Sequence, residues 1–121
     1  MEARVKEMFH CRRQYEGERN IIAACMNDYV TSQKSEKEQR LKYLNKRISI
    51  LDGWLMLLTE DEAFVVKRHL IDGIDWPRVT QEFERLWGRE FARAERTLRS
   101  YQQNAMNKII RFIADHTEML Q

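Results

Sequence analysis

Apolar residues recur along this chain at intervals of three or four, the spacing that places side chains on one face of an α-helix. The clearest run lies between residues 41 and 58, with intervals of 3, 4, 3, 4 and 3 (Leu41, Leu44, Ile48, Leu51, Leu55 and Leu58). Ser35, followed three residues later by Glu38, is a capping-box signature and predicts the start of this helix. No segment shows convincing β-alternation, and the chain has only one proline and four glycines. The pattern predicts an all-α fold.

A weaker heptad pattern precedes this run and predicts a first helix over about residues 3–31. Its apolar stripe has intervals of 3, 7, 7, 4 and 3 (Val5, Met8, Tyr15, Ile22, Met26 and Tyr29). Arg12 and Arg19 occupy two seam positions of this pattern, and Gly17 weakens its middle. We therefore expect a coiled-coil-like N-terminal helical hairpin over residues 1–58. The same seams also fit a dimer interface between chains, and two hairpins in a four-helix bundle would satisfy both interpretations.

Turn and capping residues divide the second half of the chain into shorter helices. Thr59 and Glu62 form a capping box that opens a helix ending near Leu70, where Gly73 can adopt the left-handed conformation that favours a helix end. Asp75 is a favourable N-cap for a helix over residues 76–87. The expected buried positions of this helix are Trp76, Val79, Phe83 and Leu86, and Gly88 is expected to end it.

The last predicted helix runs from about Glu90 to His116. Its expected inward face comprises Phe91, Ala94, Leu98, Tyr101, Ala105, Ile109 and Phe112. At 3.6 residues per turn, a polar stripe lies on the other side of this helix (Arg89, Arg93, Arg96, Ser100 and Gln103). The spacing therefore predicts that the arginines are separated from the core.

Positive charge is concentrated in the same region. The whole chain has a net charge of only +2, but residues 85–111 carry seven cations against two glutamates, a local charge of +5 (Arg85, Arg89, Arg93, Arg96, Arg99, Lys108 and Arg111 against Glu90 and Glu95). Arginine pairs with phosphate or guanine, and glutamine can bind an adenine edge. The pattern favours contact with double-stranded DNA, although an ordinary solvated arginine face is the alternative.

The order of these helices fits a helix-turn-helix domain over residues 59–121, preceded by the hairpin of residues 1–58. The segments "LTEDEAFVVKRHLIDGIDWPRV" and "RTLRSYQQNAMNKI" resemble region four of bacterial sigma factors, and more specifically the ArpU/RinA-like phage late-gene transcriptional regulators. The features in common are Leu58-Thr59, Val65-Val66, Gly73, Trp76, Val79, Thr97-Leu98 and Ala105. The resemblance covers about half the chain. It departs from the usual pattern at "FERLWGREFA" (83–92), where the turn is several residues longer.

This resemblance implies a sequence-specific, double-stranded DNA-binding transcription regulator whose last helix reads promoter DNA, with RNA polymerase as a second partner. Residues 1–58 would then mediate homodimerisation or the polymerase contact. From the spacing we expect phosphate contacts from Arg85, Arg89 and Arg111. The expected base-reading residues are Arg93, Arg96, Ser100, Arg99 and Gln103. Two other functions remain open: a helical protein-interaction adaptor or inhibitor of a host factor, and a DNA-packaging recognition subunit.

Other chemistry has little support in the sequence. His10, His69 and His116 fall in three different predicted helices, and Cys11 and Cys25 form no CxxC pair, so we expect no metal, no cofactor and no enzymatic activity. The longest dense apolar stretch, residues 48–58, is far shorter than the roughly 20 residues that span a bilayer. The first residues are charged throughout and resemble no export signal, so we expect a cytoplasmic protein without membrane contact.

Overall fold

The computed structural model describes residues 1–116, and every regular element in that range is helical. The α-helices are α1 (Glu2–His10), α2 (Arg12–Cys25), α3 (Thr31–Met56), α4 (Glu60–Val65), α5 (Trp76–Trp87) and α6 (Glu95–Asp115). A π-helical segment, Val66–Ile71, continues α4, and 3₁₀ turns lie at Met26–Asp28 and Arg89–Phe91. The all-α prediction is confirmed for the described residues. None of these helices is both long and apolar enough to cross a membrane.

The predicted single helix over residues 3–31 is wrong, because the chain is interrupted at Cys11 and α2 ends at Cys25. Tyr29 has an extended backbone (φ −74°, ψ 141°) and belongs to the connection to α3. The two halves differ in their main partners: α1 packs on α6 and the π segment, and α2 packs on α3. Phe9 of α1 also reaches Trp54 of α3.

The second helix of the sequence analysis begins earlier than predicted. α3 starts at Thr31, its N-cap residue Val30 makes no side-chain capping hydrogen bond, and Ser35 lies exposed inside the helix. The capping box at Ser35 is therefore wrong. Residues 31–40 contain no glycine or proline and are rich in Gln, Lys and Glu, which favour helix, so a polar stretch here extends the helix instead of interrupting it.

α2 lies antiparallel to α3. Arg12 donates to Asp52 at 2.8 Å, and Arg40 donates to both carboxylate oxygens of Glu18 at 2.7 and 2.9 Å. The middle of the predicted heptad run on α3 is buried (Leu44, Ile48 and Leu51), and its flanking leucines are partly buried. Apolar burial, more than these solvent-exposed ion pairs, stabilises the contact.

The main hydrophobic core contains residues from both sides of residue 58. It joins α1, α3, the π segment and the second half of α6 (Val5, Met8, Phe9, Leu51, Trp54, Val66, Leu70, Ala105, Met106, Ile109 and Ile113). Phe9 and Trp54 meet there with ring centroids 5.9 Å apart. The N-terminal helix α1 thus completes the core around the C-terminal half of α6.

A second, smaller core joins α4, α5 and the beginning of α6. Its buried residues are Val65, Val79, Phe83 and Leu98, with the aromatic rings of Phe64, Trp76, Trp87 and Tyr101 packed around them. Phe83 stacks on Trp87 at 4.4 Å between centroids. This core fixes the position of the first turns of α6 against α5.

The turn and cap predictions for residues 59–88 are largely confirmed. The Thr59 hydroxyl accepts from the Glu62 N–H at 3.3 Å, and Glu62 Oε1 accepts from the Thr59 N–H at 3.0 Å. Gly73 has a φ of 68°, the Asp75 carboxylate accepts from an N–H in the first turn of α5, and α5 spans the predicted residues. Burial of Leu86 is wrong, because this side chain is 62% exposed.

The predicted start of the last helix near Glu90 is also wrong. Gly88 has a φ of 90°, a 3₁₀ turn follows, and Ala92 and Ala94 have extended backbones before α6 begins at Glu95. Phe91 and Ala94, predicted to face inward, are exposed, whereas Leu98, Ala105 and Ile109 are buried. The extended conformations of Ala92 and Ala94 are incompatible with a helix over residues 90–94, so α6 begins only at Glu95, one turn before Leu98 enters the second core.

Candidate nucleic-acid interface

Three of the predicted DNA-binding residues surround the connection between α5 and α6. Arg85 lies on the last turn of α5, Arg89 in the 3₁₀ turn, and Arg93 in the extended segment before α6, and all three are exposed. The helical stripe that grouped Arg89 and Arg93 with α6 is wrong, because neither residue belongs to that helix. They are brought to the same region by a seven-residue connection, residues 88–94, instead of by helical phase.

The outer face of α6 carries the other predicted residues. At 100° per residue, Arg96, Ser100, Gln103 and Arg111 fall within roughly 80° of one another and opposite Ala105, and all four are exposed. Arg111 is 15 residues beyond Arg96 and therefore about 22 Å farther along the axis. Only the first turns of α6 are near the arginines of the connection.

Several side chains on α6 already have partners within the protein. The Arg99 guanidinium donates to Glu95 Oε2 (3.2 Å from Nε) and lies over the Trp76 ring at 5.4 Å. Gln103 Nε2 donates to Glu2 Oε1 at 2.8 Å and to Asn107 Oδ1 at 3.1 Å. A base contact by Arg99 or Gln103 would have to replace these interactions.

Ser100 and Lys108 are also engaged. The Ser100 hydroxyl donates to the backbone carbonyl of Arg96 at 3.1 Å. Lys108 Nζ donates to Glu62 Oε1 at 2.7 Å, and this charge, together with the Thr59 N–H, holds the pKa of the buried Glu62 carboxyl below its usual value although burial opposes the shift. Lys108 therefore anchors α6 to the start of α4.

The N-terminus of α6 has no side-chain cap. Ala94 has no side chain that could cap it, and Arg93 and Arg96 are exposed on either side of its first turn. Helix N-termini attract anions through their free N–H groups and the helix dipole. Glu95 places a negative charge in this turn, but its ion pair with Arg99 (3.0 Å) offsets that charge.

An ion-pair cluster fixes α5 against the π segment. Arg68 donates to both oxygens of Glu82 at 2.7 and 2.8 Å and to Asp72 at 2.6 Å. The same guanidinium holds the pKa of Glu82 below its usual value. Arg68, not the nearby Arg85, therefore binds this carboxylate, and the positive charge of Arg85 faces solvent.

Sequence reasoning missed a polar contact beneath α6. His69 Nδ1 lies 2.7 Å from Oε1 of the buried Gln102, and its ring stacks on Trp76 with centroids 3.9 Å apart. Burial lowers the pKa of His69 from 6.5; the bond to Gln102 opposes this, and His10, Arg99 and Lys6 add to it. Gln102 is the only glutamine on the otherwise apolar inner face of α6. A glutamine at such a position is the feature of the sequence that could have indicated a buried polar contact.

We expect the free energy of unfolding to fall as the pH is lowered below about 6.5, the ordinary value for histidine. The unfolded chain takes up a proton at His69 before the folded protein does, so acid favours unfolding. Urea denaturation between pH 8 and 5 measures this, and His69→Gln should weaken the dependence. His116→Gln, at the exposed end of α6, should leave it in place; equal slopes for His69→Gln and the unmodified protein would contradict the assignment.

A second group of cations lies on α3 and was also missed. Arg40 and Arg47 lie over the Tyr43 ring at 5.0 and 5.1 Å, and Lys37 lies over Tyr29 at 5.2 Å. Lys42 and Lys46 are exposed. Counting charges over residues 34–47 would have found this group of six cations, three of which have a structural explanation in their aromatic contacts.

Within residues 1–116, no three His, Cys, Asp or Glu side chains lie close enough to hold a metal ion. Comparison of the chain with models of protein families, with curated proteins and with solved structures found no match. The candidate interface is therefore defined by its own geometry.

Proposed function

We propose that this protein is a sequence-specific, double-stranded DNA-binding transcription regulator of the phage or prophage type. The observation that carries the proposal is the group of exposed arginines at the junction of α5 and α6 (Arg85, Arg89, Arg93 and Arg96). Of the nearby carboxylates, Glu82 and Glu95 are paired with Arg68 and Arg99. Glu84 and Glu90 adjoin Arg85 and Arg89 in the sequence and form no ion pair within the described part of the chain, so the four arginines face two unpaired carboxylates. A polyanion therefore meets an excess of positive charge at this surface.

A helix-turn-helix interpretation of α4, α5 and α6 is supported by the small core that packs all three together. α6 would be the recognition helix, with its first turns in the major groove. The connection of seven residues is longer than the three or four common in this motif. The resemblance to sigma region four and to the ArpU/RinA-like regulators rests on the sequence alone, as does a contact with RNA polymerase.

The geometry favours different roles for the eight residues. Arg85 and Arg89 lie beside the helix that enters the groove and are assigned to phosphates, and Arg111, farther along α6, to a more distant phosphate. Arg93 and Arg96 flank the uncapped N-terminus of α6 and are assigned to base edges. Ser100, Arg99 and Gln103 extend this reading surface once the internal partners of Arg99 and Gln103 are displaced.

The salt dependence of duplex binding tests the proposal. We expect a fluorescein-labelled 30-bp duplex pool to be bound at low salt, with log K falling linearly as log[salt] rises, because cations release counterions from phosphates. Arg89→Ala should reduce the magnitude of the slope by about 0.9. Lys42→Ala on α3 removes the same charge elsewhere and should leave the slope unchanged. Absence of any duplex binding at low salt would refute the proposal.

An acidic protein is a second candidate partner for this surface. The observation in its favour is that two apolar side chains, Leu86 and Phe91, are exposed among the same cations. Protein interfaces favour such aromatic and arginine mixtures. In that case the duplex assay would show no binding, and the N-terminal helices α2 and α3 would serve as scaffold or dimer interface.

A further inference from the structure

Phe91 is the least expected side chain of the connection between α5 and α6. The phenyl group is 51% exposed and belongs to neither hydrophobic core. Its backbone is nevertheless ordered: the Phe91 N–H donates to the Gly88 carbonyl at 3.0 Å, and the Ala92 N–H donates to the Arg89 carbonyl at 3.2 Å. A structured turn therefore presents an aromatic ring to solvent.

Cations lie on both sides of this ring in the sequence. Arg89 and Arg93 are each two residues away, both are exposed, and the Arg93 guanidinium donates only to the neighbouring Ala92 carbonyl at 3.1 Å among its described hydrogen bonds. An exposed aromatic ring flanked by arginines is a combination that binds nucleic acid. The arginines attract the phosphates of the nucleic-acid backbone, and the ring stacks on the face of a base.

The position of Phe91 is compatible with such a contact beside α6. Phe91 lies four positions before Glu95, the first residue of α6, and four Cα–Cα steps of extended chain span at most about 14 Å. That distance is comparable with the roughly 12 Å width of the major groove. A base next to the groove that α6 enters is therefore within reach of the ring.

We propose that Phe91 stacks on a nucleobase that has left the regular duplex stack, with Arg89 holding an adjacent phosphate and Arg93 at a neighbouring base edge. This inference rests on the proposed function and specifies its ligand more closely. The ligand is a DNA duplex that contains an unstacked base, instead of a duplex in which every base is paired and stacked. The base can come from an unpaired nucleotide or from a paired step that the protein opens, and the stacking chemistry is the same. Phe91 is a binding residue in either case.

The test compares two fluorescein-labelled 30-bp duplexes, one fully paired and one with a single-adenine bulge, by anisotropy at low salt. The proteins are the unmodified chain, Phe91→Ala, Phe91→Trp and Leu86→Ala. Leu86 is an exposed apolar residue at the end of α5, so its variant controls for the loss of apolar surface without loss of an aromatic ring. Phe91 is outside both cores, and its variants should fold, which circular dichroism checks.

We expect Phe91→Ala to bind the bulged duplex about 5- to 150-fold more weakly than the unmodified protein, the range found when a stacking aromatic is removed. Phe91→Trp should retain the affinity and Leu86→Ala should change it little. A loss confined to the bulged duplex identifies an unpaired base, and a loss on both identifies an opened step. Equal affinities for Phe91→Ala and the unmodified protein, or equal losses for Phe91→Ala and Leu86→Ala, would overturn the inference while leaving duplex binding established. No binding of either duplex by the unmodified protein would instead refute both proposals.

Discussion

Charge reversal at both Arg93 and Arg96 is expected to abolish detectable duplex binding at about 0.1 M salt. The two residues flank the uncapped N-terminus of α6, the part of the helix assigned to the groove. An arginine that reads a base edge contributes about 1–3 kcal/mol, so the loss of two lowers the affinity by roughly 30-fold or more. The added glutamates also repel phosphates, which increases the effect.

The test variant carries both Arg93→Glu and Arg96→Glu. Its matched control carries both Lys42→Glu and Lys46→Glu, which change the net charge by the same amount on an exposed part of α3. Anisotropy titrations with one duplex pool compare the two variants. Binding that survives the arginine reversal, or that is lost equally in both variants, would show that α6 is not the contact. Neither pair has a described ion pair with a carboxylate, so both variants should remain folded.

Phe9→Ala is expected to lower the free energy of unfolding by about 3–5 kcal/mol, the usual effect of removing a buried phenyl group. Phe9 is fully buried and its ring lies 5.9 Å from that of Trp54. Typical domains are stable by only about 5–15 kcal/mol, so this change removes a large fraction of the total. Urea denaturation followed by circular dichroism measures it.

Phe91→Ala provides the same chemical change at an exposed position and should alter stability by no more than about 0.5 kcal/mol. The comparison also tests whether α1 is required by the C-terminal half of the chain, because Phe9 shares a core with Met106 and Ile109 of α6. Equal stabilities for the two alanine variants would show that α1 contributes little. A large difference would mean that residues 59–121 lack part of their core when separated from α1.

Local signals in the sequence predicted the elements of residues 59–88 well. The capping box of Thr59 and Glu62, the cap at Asp75 and the glycines at 73 and 88 act through their own backbone and immediate neighbours, so their effect does not depend on distant packing. The heptad run on α3 predicted the burial of Leu44, Ile48 and Leu51 for the same reason. The spacing of apolar residues along a helix follows from the geometry of that helix alone, so it can be recognised without knowing the distant contacts.

The candidate site was predicted less completely. The local excess of arginine was visible in the composition, but the placement of Arg89 and Arg93 depended on the assumed start of the last helix near Glu90. Phe91 fits the apolar period of that helix, so periodicity alone placed it inside. The conformation of residues 88–94 is decided by where Leu98 must enter the core, and a local pattern does not contain that information.

The amino-acid sequence by itself determined that the chain is helical, where the helix caps at Thr59 and Asp75 and the turns at Gly73 and Gly88 lie, and which segment carries excess positive charge. These properties arise from neighbouring residues. Only the tertiary structure decided that the first helix breaks at Cys11, that α1 completes the core around α6, and that Gln103 is held by Glu2. Those features depend on contacts between residues as far as 101 positions apart. Such contacts form only when the complete core brings the helices together.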